Sequence, residues 1–381
     1  MSRFFDLVSK PAREMSNYAR GSSSPRQPVS GVQPRLIRLD SNENPYGPSP
    51  LAITAMRNAL AAASVYPDDD CGELRRKLAT SHGLPVEQVL VTAGSTALLG
   101  LLCQTLLAPG LNAVTSERSF IVYSMAVHAT GAQLIETPMR DDSFDLGAIL
   151  DAIDANTRLI FLANPNNPTG TVLESATVDR FLTLVPDHVV VVLDEAYYEF
   201  AMHFASLRQA AYSNSVAYVK RGVSLVVLRT FSKAHGLAGL RVGYGIGPAE
   251  LLGYCARMRN TFSVSSVAQA AALPAVDDHS HVARVVANNA VQAKLLTEGL
   301  SELGYRVTPT AANFVYCDVR GDASVVAQRL AEEGVSVRPL GAWGAPKCIR
   351  VSIGTPEQNL FFLRAVRRIA AQNSSAPAAR R

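Results

Sequence analysis

The sequence has few cysteines, and their spacing gives no sign that they are paired. The five are odd in number, with no C-x-x-C motif and no Cys/His cluster at metal-ligand spacing: Cys71, Cys103, Cys255, Cys317 and Cys348. Neither a disulfide framework nor a zinc site is therefore expected. This predicts a protein of the reducing cytoplasm that holds no metal.

A strong charge imbalance and long apolar runs are also missing. The net charge is +4 over 381 residues, and no basic run is interleaved with aromatic side chains, so nucleic acid is not an expected partner. The longest apolar run, near 97–107, is interrupted by Gln104 and is too short to cross a bilayer. Residues 1–15 lack the apolar core of a signal peptide. We expect a cytoplasmic protein that binds neither nucleic acid nor a membrane.

What the sequence does contain is a repeated alternation of strand and helix patterns. Strands are predicted at 88–92, 113–116, 133–137, 158–163, 188–193 and 225–228, and helices at 95–107, 120–129 and 175–184. Strands that are apolar at every position are buried on both faces, as in a mostly parallel sheet sandwiched by helices. This part of the chain is therefore predicted to be an α/β domain.

After about residue 262 the pattern changes to a long helix, short strands and two further helices, which predicts a smaller α+β domain. The predicted organisation is an N-terminal arm that joins the small domain (1–44), a large domain (45–275), a small C-terminal domain (276–371) and a disordered tail (372–381).

One stretch of the predicted large domain combines a buried strand with two cations. The apolar run 224–228 is followed by Thr230, Ser232 and Lys233, and Arg241 lies eight residues beyond the lysine. A lysine beside a buried strand is unfavourable unless it is solvated, paired or used in chemistry. A nearby arginine would lower its pKa and could hold a phosphate, which suits a lysine that forms a Schiff base. Taken alone, the stretch suits a surface loop with two ordinary cations equally well.

Three other motifs follow predicted strands. Gly94, Ser95 and Thr96 lie between a strand and a helix, where free backbone N–H groups bind anions, although a plain helix cap explains this motif better when it is taken alone. The segment 164–170 has three asparagines and two prolines at the carboxyl end of a strand, where α/β sheets bind their ligands. Asp194 ends the next strand and points to the same crevice, unless it is a solvated loop carboxylate.

Two arginines of the predicted small domain lie near strand ends. Each of them, Arg338 and Arg350, is by itself more often a surface cation than a residue that binds a ligand. Arg350 directly precedes the apolar segment 351–353, which favours a guanidinium aimed at an anion.

Taken in order, these motifs resemble those of the fold type I aminotransferases, which depend on pyridoxal phosphate (PLP), and of their histidinol-phosphate aminotransferase branch in particular. The resemblance covers roughly residues 39–371 and implies that family's fold. It rests on the segments Asp40-Ser-Asn-Glu-Asn-Pro, Tyr66-Pro67, Ala93-Gly-Ser, Ser119-Phe-x-x-Tyr123, Asn164-Pro-Asn-Asn-Pro-Thr-Gly, Asp194-Glu-Ala-Tyr, Thr230-Phe-Ser-Lys-Ala-x-Gly-Leu-Ala-Gly-Leu-Arg241 and Arg350-Val-Ser-Ile-Gly-Thr355.

The resemblance also implies residue roles. Lys233 binds the cofactor as a Schiff base and later carries a proton, Asp194 pairs with the pyridine nitrogen, and Tyr197 hydrogen-bonds the phenolic oxygen. The implied cofactor-binding set is Gly94, Ser95, Thr96, Phe120 (stacked on the ring), Asn167, Asp194, Tyr197, Thr230, Ser232, Lys233 and Arg241, with Tyr66 from the partner subunit of a homodimer. The implied substrate contacts are Arg350, which receives the substrate carboxylate, Arg338 and Tyr18, which contact a distal phosphate, and Asn42 and Asn167. The bond Asn167–Pro168 is expected to be cis.

The activity implied is transfer of an amino group from histidinol phosphate to 2-oxoglutarate, giving imidazole acetol phosphate and glutamate, in histidine biosynthesis. The substrates are thus a small-molecule amino donor and a 2-oxo acid. An aromatic amino acid aminotransferase is the alternative within the family. An amino-acid-phosphate decarboxylase and a non-catalytic PLP-binding module are further alternatives.

Overall fold

The structure is a computed structural model, and it describes residues 5, 7–15 and 36–375, with side chains as far as 372. Its strands are β1 (Ile37–Leu39), β2 (Val89–Thr92), β3 (Asn112–Ser116), β4 (Gln133–Thr137), β5 (Met139–Arg140), β6 (Ser143–Phe144), β7 (Thr157–Ala163), β8 (Val190–Asp194), β9 (Leu225–Thr230), β10 (Gly243–Ile246), β11 (Arg306–Thr308), β12 (Phe314–Asp318), β13 (Val335–Leu340) and β14 (Ala345–Ser352).

Its helices are α1 (Lys10–Glu14), α2 (Pro50–Ala59), α3 (Gly72–His82), α4 (Ser95–Leu106), α5 (Val122–His128), α6 (Leu146–Asp151), α7 (Ser175–Leu182), α8 (Tyr198–Arg208), α9 (Ser215–Lys220), α10 (Ala249–Arg257), α11 (Ser266–Ala275), α12 (His279–Ser301), α13 (Ala323–Glu332) and α14 (Pro356–Ser375). Within the described ranges, no helix is long and apolar enough to cross a membrane.

The larger sheet has seven strands in the order β2-β10-β9-β8-β7-β3-β4. Only β10 is antiparallel to its neighbours, β2 and β9, and the other pairs are parallel. Strands β2, β3 and β9 are buried at every position, because helices cover the sheet. The predicted mostly parallel, helix-covered sheet is therefore confirmed.

The smaller sheet has five strands in the order β1-β13-β14-β12-β11. Strand β1 comes from the segment before residue 44 and pairs in parallel with β13, so the N-terminal segment completes a sheet formed by C-terminal strands. The remaining neighbours are antiparallel. Helices α13 and α14 pack against this sheet through buried residues such as Leu330 and Phe362.

The order of the larger sheet determines where loops converge. Strands β7, β8 and β9 are adjacent and parallel, so their carboxyl ends lie at one edge of the sheet. The loops that follow them carry Asn167, Asp194 and Lys233. Strand β10 lies between β9 and β2, so that Gly243 pairs with both Thr92 and Thr230. This brings the amino end of α4 beside the β9 loop.

Some sequence predictions were wrong in detail. Helix α14 continues to Ser375 instead of ending at residue 371, and Gln372 accepts a hydrogen bond from Arg329 on α13, so the predicted tail does not begin at 372. Residues 376–381 lie outside the described part of the chain. Arg338 and Arg350 lie within β13 and β14, each two residues before the last residue of its strand, as the prediction near strand ends requires.

Candidate active site

A cavity of about 490 Å³ lies between the carboxyl ends of β7–β9 and the smaller sheet. It is lined by thirteen of the predicted site residues: Asn42, Ser95, Thr96, Phe120, Asn167, Asp194, Tyr197, Thr230, Ser232, Lys233, Arg241, Arg338 and Arg350. Gly94 adjoins them through Ser95. Segments far apart in the sequence therefore contribute to one pocket, whose volume lies in the range of small-ligand sites.

Lys233 is half-buried, and its amine is held by backbone carbonyls. Nζ donates hydrogen bonds to the carbonyl oxygens of Asn42, at 3.1 Å, and Ser41, at 3.4 Å. Burial lowers the pKa of Lys233 to about 7, and the charges of Arg350 and Arg241 act in the same direction. The amine is therefore partly neutral at physiological pH, as a nucleophile or proton carrier must be.

Asn42 connects the lysine with Tyr197. Its backbone is left-handed, with φ of 54°, a conformation that asparagine tolerates better than most residues. The side-chain nitrogen of Asn42 donates a hydrogen bond to the Tyr197 hydroxyl at 3.0 Å. The side-chain oxygen of Asn42 accepts one from the Ser352 hydroxyl at 3.0 Å. Tyr197 is buried and lines the cavity, so this contact fixes the orientation of its hydroxyl.

Asp194 is a buried acidic group of the cavity and accepts hydrogen bonds from two donors. Its carboxylate accepts hydrogen bonds from the Tyr123 hydroxyl at 3.0 Å and from the backbone N–H of Ala196 at 3.1 Å. Burial raises the pKa of Asp194 to about 6 despite these bonds. Burial disfavours the ionised carboxylate, and a cationic partner would favour it. Asp194 is therefore suited to bind a cation.

The amino end of α4 and the β9 loop form a cluster of anion-binding groups. The Thr230 hydroxyl donates to the Ser232 hydroxyl at 3.0 Å, and Arg241 donates to the same Ser232 oxygen at 3.4 Å. Gly94 has φ of 85° and ψ of 157°, a conformation open essentially to glycine. A Cβ atom on Gly94 would clash with the Arg241 guanidinium. Hydroxyls, a guanidinium and a helix amino end together suit a phosphate.

Arg338 and Arg350 form a second cationic group on the smaller sheet. They face each other directly across β13 and β14, and their exposed fractions are only 7% and 5%. Both donate to the carbonyl oxygen of Asp40, at 3.3 and 2.9 Å. Arg350 also donates to the Asn167 side-chain oxygen at 2.6 Å, which connects the smaller sheet with the β7 loop. The predicted cis bond between Asn167 and Pro168 is confirmed.

Besides Gly94, Tyr66 is the one predicted residue of the described part of the chain that does not line this cavity. Tyr66 is 77% exposed and stacks on Phe262 with ring centroids 4.5 Å apart, so its predicted role across a dimer interface stays a prediction. Tyr18 lies outside the described residues. Phe120 lines the cavity and meets Tyr123 edge-on at 5.6 Å, but its predicted contact with a cofactor ring likewise stays a prediction.

Sequence reasoning did not assign a role to two residues of the site. Tyr123 was part of a matching motif, and its position three residues after Phe120 was the available signal for the contact with Asp194. Trp343 also lines the cavity. The one signal in the sequence that could have indicated its role is that it is the single tryptophan of the chain.

In the described part of the chain, no three His, Cys, Asp or Glu side chains are grouped as metal ligands.

The chemistry of these groups fits PLP. A partly neutral amine, a buried carboxylate and a phosphate-binding cluster line one cavity, matching the aldehyde, the pyridine nitrogen and the phosphate of that cofactor. Gly94 leaves open the space beside Arg241 that a side chain would fill. The described residues thus provide a suitable group for each part of the cofactor.

Comparison with known proteins agrees with this site. The family model "Aminotransferase class I and II" matches residues 34–366. The histidinol-phosphate aminotransferase 2 of Pseudomonas aeruginosa is 42% identical over 98% of this chain and all of the relative. That of Moorella thermoacetica is 40% identical over 91% of this chain and 90% of the relative. The histidinol-phosphate aminotransferase of Sinorhizobium meliloti, solved with pyridoxal-5'-phosphate, superimposes with a TM-score of 0.82 at 27% identity, over 91% of this chain and 96% of that structure. The chain therefore belongs to the class I and II aminotransferases and has their fold type I architecture.

Proposed function

We propose that this PLP-dependent aminotransferase takes its amino group from histidinol phosphate and transfers it to 2-oxoglutarate, as a step of histidine biosynthesis. The observation that carries the choice of donor is the buried pair Arg338 and Arg350. Like charges directly opposite each other on neighbouring strands repel, and burial strengthens the repulsion. A doubly charged phosphate of the donor relieves it more fully than a single carboxylate does.

The charge of the whole cavity supports the same choice. Its lining has five cationic side chains, Arg38, Lys233, Arg241, Arg338 and Arg350, and two anionic ones, Glu43 and Asp194. The cluster around Arg241 suits the phosphate of the cofactor. The phosphate of the amino donor is a second anion, and it suits the cationic pair on the smaller sheet.

Each residue at the large-sheet edge has a proposed task. When bound, PLP supplies an electron sink for the charge that develops at the carbon bearing the amino group. Asp194 holds the proton on the pyridine nitrogen, and Tyr197 and Asn167 orient the ring oxygen. Phe120 covers one face of the ring without adding a polar group.

Lys233 is proposed to move the proton that the reaction transfers. Its Nζ atom, largely neutral above about pH 7, can accept a proton from the donor carbon and return it to the cofactor side. The carbonyl oxygens of Ser41 and Asn42 keep the amine from rotating out of the cavity. The proposed binding site of the cofactor phosphate consists of Gly94, Ser95, Thr96, Thr230, Ser232 and Arg241.

A panel of amino donors tests the proposal. With 2-oxoglutarate as acceptor, kcat/KM for histidinol phosphate should exceed that for phenylalanine, tyrosine and histidinol by two orders of magnitude or more. Comparable or better turnover of phenylalanine or tyrosine would make the enzyme an aromatic aminotransferase. Release of carbon dioxide from a phosphorylated amino acid would indicate a decarboxylase. If no donor were turned over, the protein would be a non-catalytic binding module.

A homodimer is the proposed assembly, with Tyr66 reaching the cofactor phosphate of the partner. Tyr66 and Phe262 form an aromatic stack on the surface, 77% and 44% exposed, which a partner subunit would cover. Lys233→Ala and Tyr66→Ala proteins should each be weakly active. When they are mixed and exchange subunits, half of the dimers contain one subunit of each kind, and one of the two sites in such a dimer has both residues intact. The mixture should therefore have about a quarter of wild-type activity. A monomeric mass by light scattering would contradict this assembly.

We also propose that the enzyme works in the cytoplasm. Its five cysteines are free thiols, all of them buried, which suits a reducing compartment. Fractionation of cells that express the chain, followed by activity measurement in each fraction, tests this location.

A further inference from the structure

Trp343 lies where the second cationic group meets the cavity. It ends the short 3-10 turn Gly341–Trp343, which follows β13 directly. Its ring packs with Tyr316, Leu340 and Cys348, and its exposed fraction is 7%. The side chain lines the same cavity as Arg338 and Arg350. The turn therefore places an indole ring at the site proposed for the donor phosphate.

The indole N–H of Trp343 is buried, and among the described residues it has no hydrogen-bond partner. Buried tryptophan N–H groups usually find an acceptor, because an unsatisfied buried donor is unfavourable. The neighbouring side chains of the site do not supply one. The guanidinium of Arg338 lies over the ring, 5.9 Å from its centroid, and arginine, like tryptophan, has donors only.

A ligand can supply the missing acceptor. Arg338, Arg350 and Trp343 line the same cavity, and their polar side-chain atoms are all donors. Part of each guanidinium is already bound to the carbonyl oxygen of Asp40. A phosphate monoester brings three acceptor oxygens, enough for both arginines and the indole, whereas a carboxylate brings two.

We propose that Trp343 is a specificity residue, whose indole N–H donates a hydrogen bond to the phosphate of the amino donor. This rests on the proposed function, because it assigns the third donor of the phosphate site. The hydrogen bond favours phosphorylated over unphosphorylated donors and leaves the chemistry at the amino-bearing carbon unchanged.

The test compares two donors that differ only in the phosphate. For the Trp343→Phe holoenzyme, kcat/KM for histidinol phosphate should fall about tenfold or more, while kcat/KM for histidinol changes by less than twofold. Because this is the one tryptophan of the chain, biosynthetic replacement of tryptophan by benzothienylalanine alters this position alone. That analogue keeps the shape of the ring and lacks the N–H, so it should reproduce the effect even if the phenylalanine variant folds poorly.

The outcomes separate this inference from the proposed function. An equal fall for both donors, or no change for either, would overturn the role of Trp343 while wild-type preference for histidinol phosphate still supports the function. If the wild-type enzyme shows no preference for histidinol phosphate over histidinol, the proposed function fails and the role of Trp343 fails with it.

Discussion

The hydroxyl of Tyr123 donates a hydrogen bond to the carboxylate of Asp194 over 3.0 Å. Tyr123 is fully buried and stacks on Phe161 with ring centroids 4.8 Å apart and an interplanar angle of 10°. Burial and stacking restrict the ring, so the hydroxyl and the carboxylate that it contacts are held in place by the surrounding core. The orientation of the acid proposed to face the cofactor is thus determined by the packing of the large domain's core.

Removing this hydroxyl should change how Asp194 titrates. The bond from Tyr123 opposes the rise in the pKa of Asp194 that burial causes, so in Tyr123→Phe the pKa rises further above about 6. Because the carboxylate must be ionised to hold the pyridine proton, the acid side of the kcat–pH profile should move to higher pH. A hydrogen bond to a charged group contributes about 1.5–3 kcal/mol, so kcat at neutral pH should fall roughly tenfold.

The matched control is Tyr218→Phe, which removes another buried tyrosine hydroxyl outside the cavity. Its kcat and its pH profile should equal those of the wild type. An acid limb that stays in place in Tyr123→Phe would show that Tyr123 does not influence the ionisation of Asp194.

The pKa of Lys233 should be visible in the reassembly of the holoenzyme. Covalent attachment of PLP to the apoenzyme requires the neutral amine, which predominates above its pKa. The rate constant should therefore rise through about pH 7, and not near 10.4, the ordinary pKa of a lysine. In Arg350→Gln the protonated amine loses a repelling neighbour, so its pKa and the midpoint of the rate profile should both increase.

Arg140→Gln is the control for this experiment. The Arg140 side chain is 80% exposed and pairs with Asp145 at 3.2 Å, away from the cavity. Its rate profile should coincide with that of the wild type. Coincident profiles for Arg350→Gln would mean that Arg350 does not act on the amine.

Much of the large domain could be predicted from the sequence, because its buried strands are locally distinctive. The strand predicted at 133–137 has the bounds of β4, and the helix predicted from Ser95 begins there. Motifs at strand ends also indicated a shared site, since adjacent parallel strands end at one edge. Local apolar pattern and turn residues were enough for this part.

The smaller sheet was harder to predict, because its geometry depends on distant pairings. Strand β1 has three residues and pairs with β13, almost 300 residues later, so no local pattern reveals it. The sequence placed Arg338 and Arg350 in one domain but could not place them opposite each other, which requires the register of β13 and β14. The contact of Trp343 with Arg338 depends on the same strands.

Gly94 should be required for cofactor binding. In Gly94→Ala the added Cβ meets the Arg241 guanidinium and occupies a backbone conformation that costs other residues about 1–3 kcal/mol. We expect the dissociation constant of PLP, measured by titration of the apoenzyme, to rise at least tenfold. Gly100→Ala is the matched control, because Gly100 lies in α4, the helix that Gly94 directly precedes, and its Cβ would meet no atom within 4 Å.

Gly100→Ala should bind PLP as the wild type does. It should also unfold at slightly higher temperature, because alanine is favoured over glycine inside a helix by up to about 1 kcal/mol. Equal PLP affinity in the Gly94 and Gly100 variants would show that the space beside Arg241 is not needed for the phosphate.

Asn42 is expected to act through its side chain and its backbone separately, and two substitutions distinguish these effects. Asn42→Gly keeps the left-handed backbone, whose carbonyl accepts from Lys233, but it removes the side-chain bonds to Tyr197 and Ser352. Its kcat should fall about tenfold, because the Tyr197 hydroxyl loses a hydrogen bond of about 1 kcal/mol and its fixed orientation. Asn42→Ala should show the same kcat and unfold more easily than Asn42→Gly by about 1–2 kcal/mol, because alanine disfavours a left-handed backbone.

Urea unfolding and steady-state kinetics measure the two effects independently. Arg320→Gly is the control, since Arg320 also has a left-handed backbone, with φ of 56°, and lies on the surface away from the cavity. That variant should keep full kcat, which shows that added backbone freedom alone does not impair the enzyme. If Asn42→Gly retained wild-type kcat while Asn42→Ala lost it, the side-chain bond to Tyr197 would have no part in catalysis, and the backbone of Asn42 alone would position Lys233.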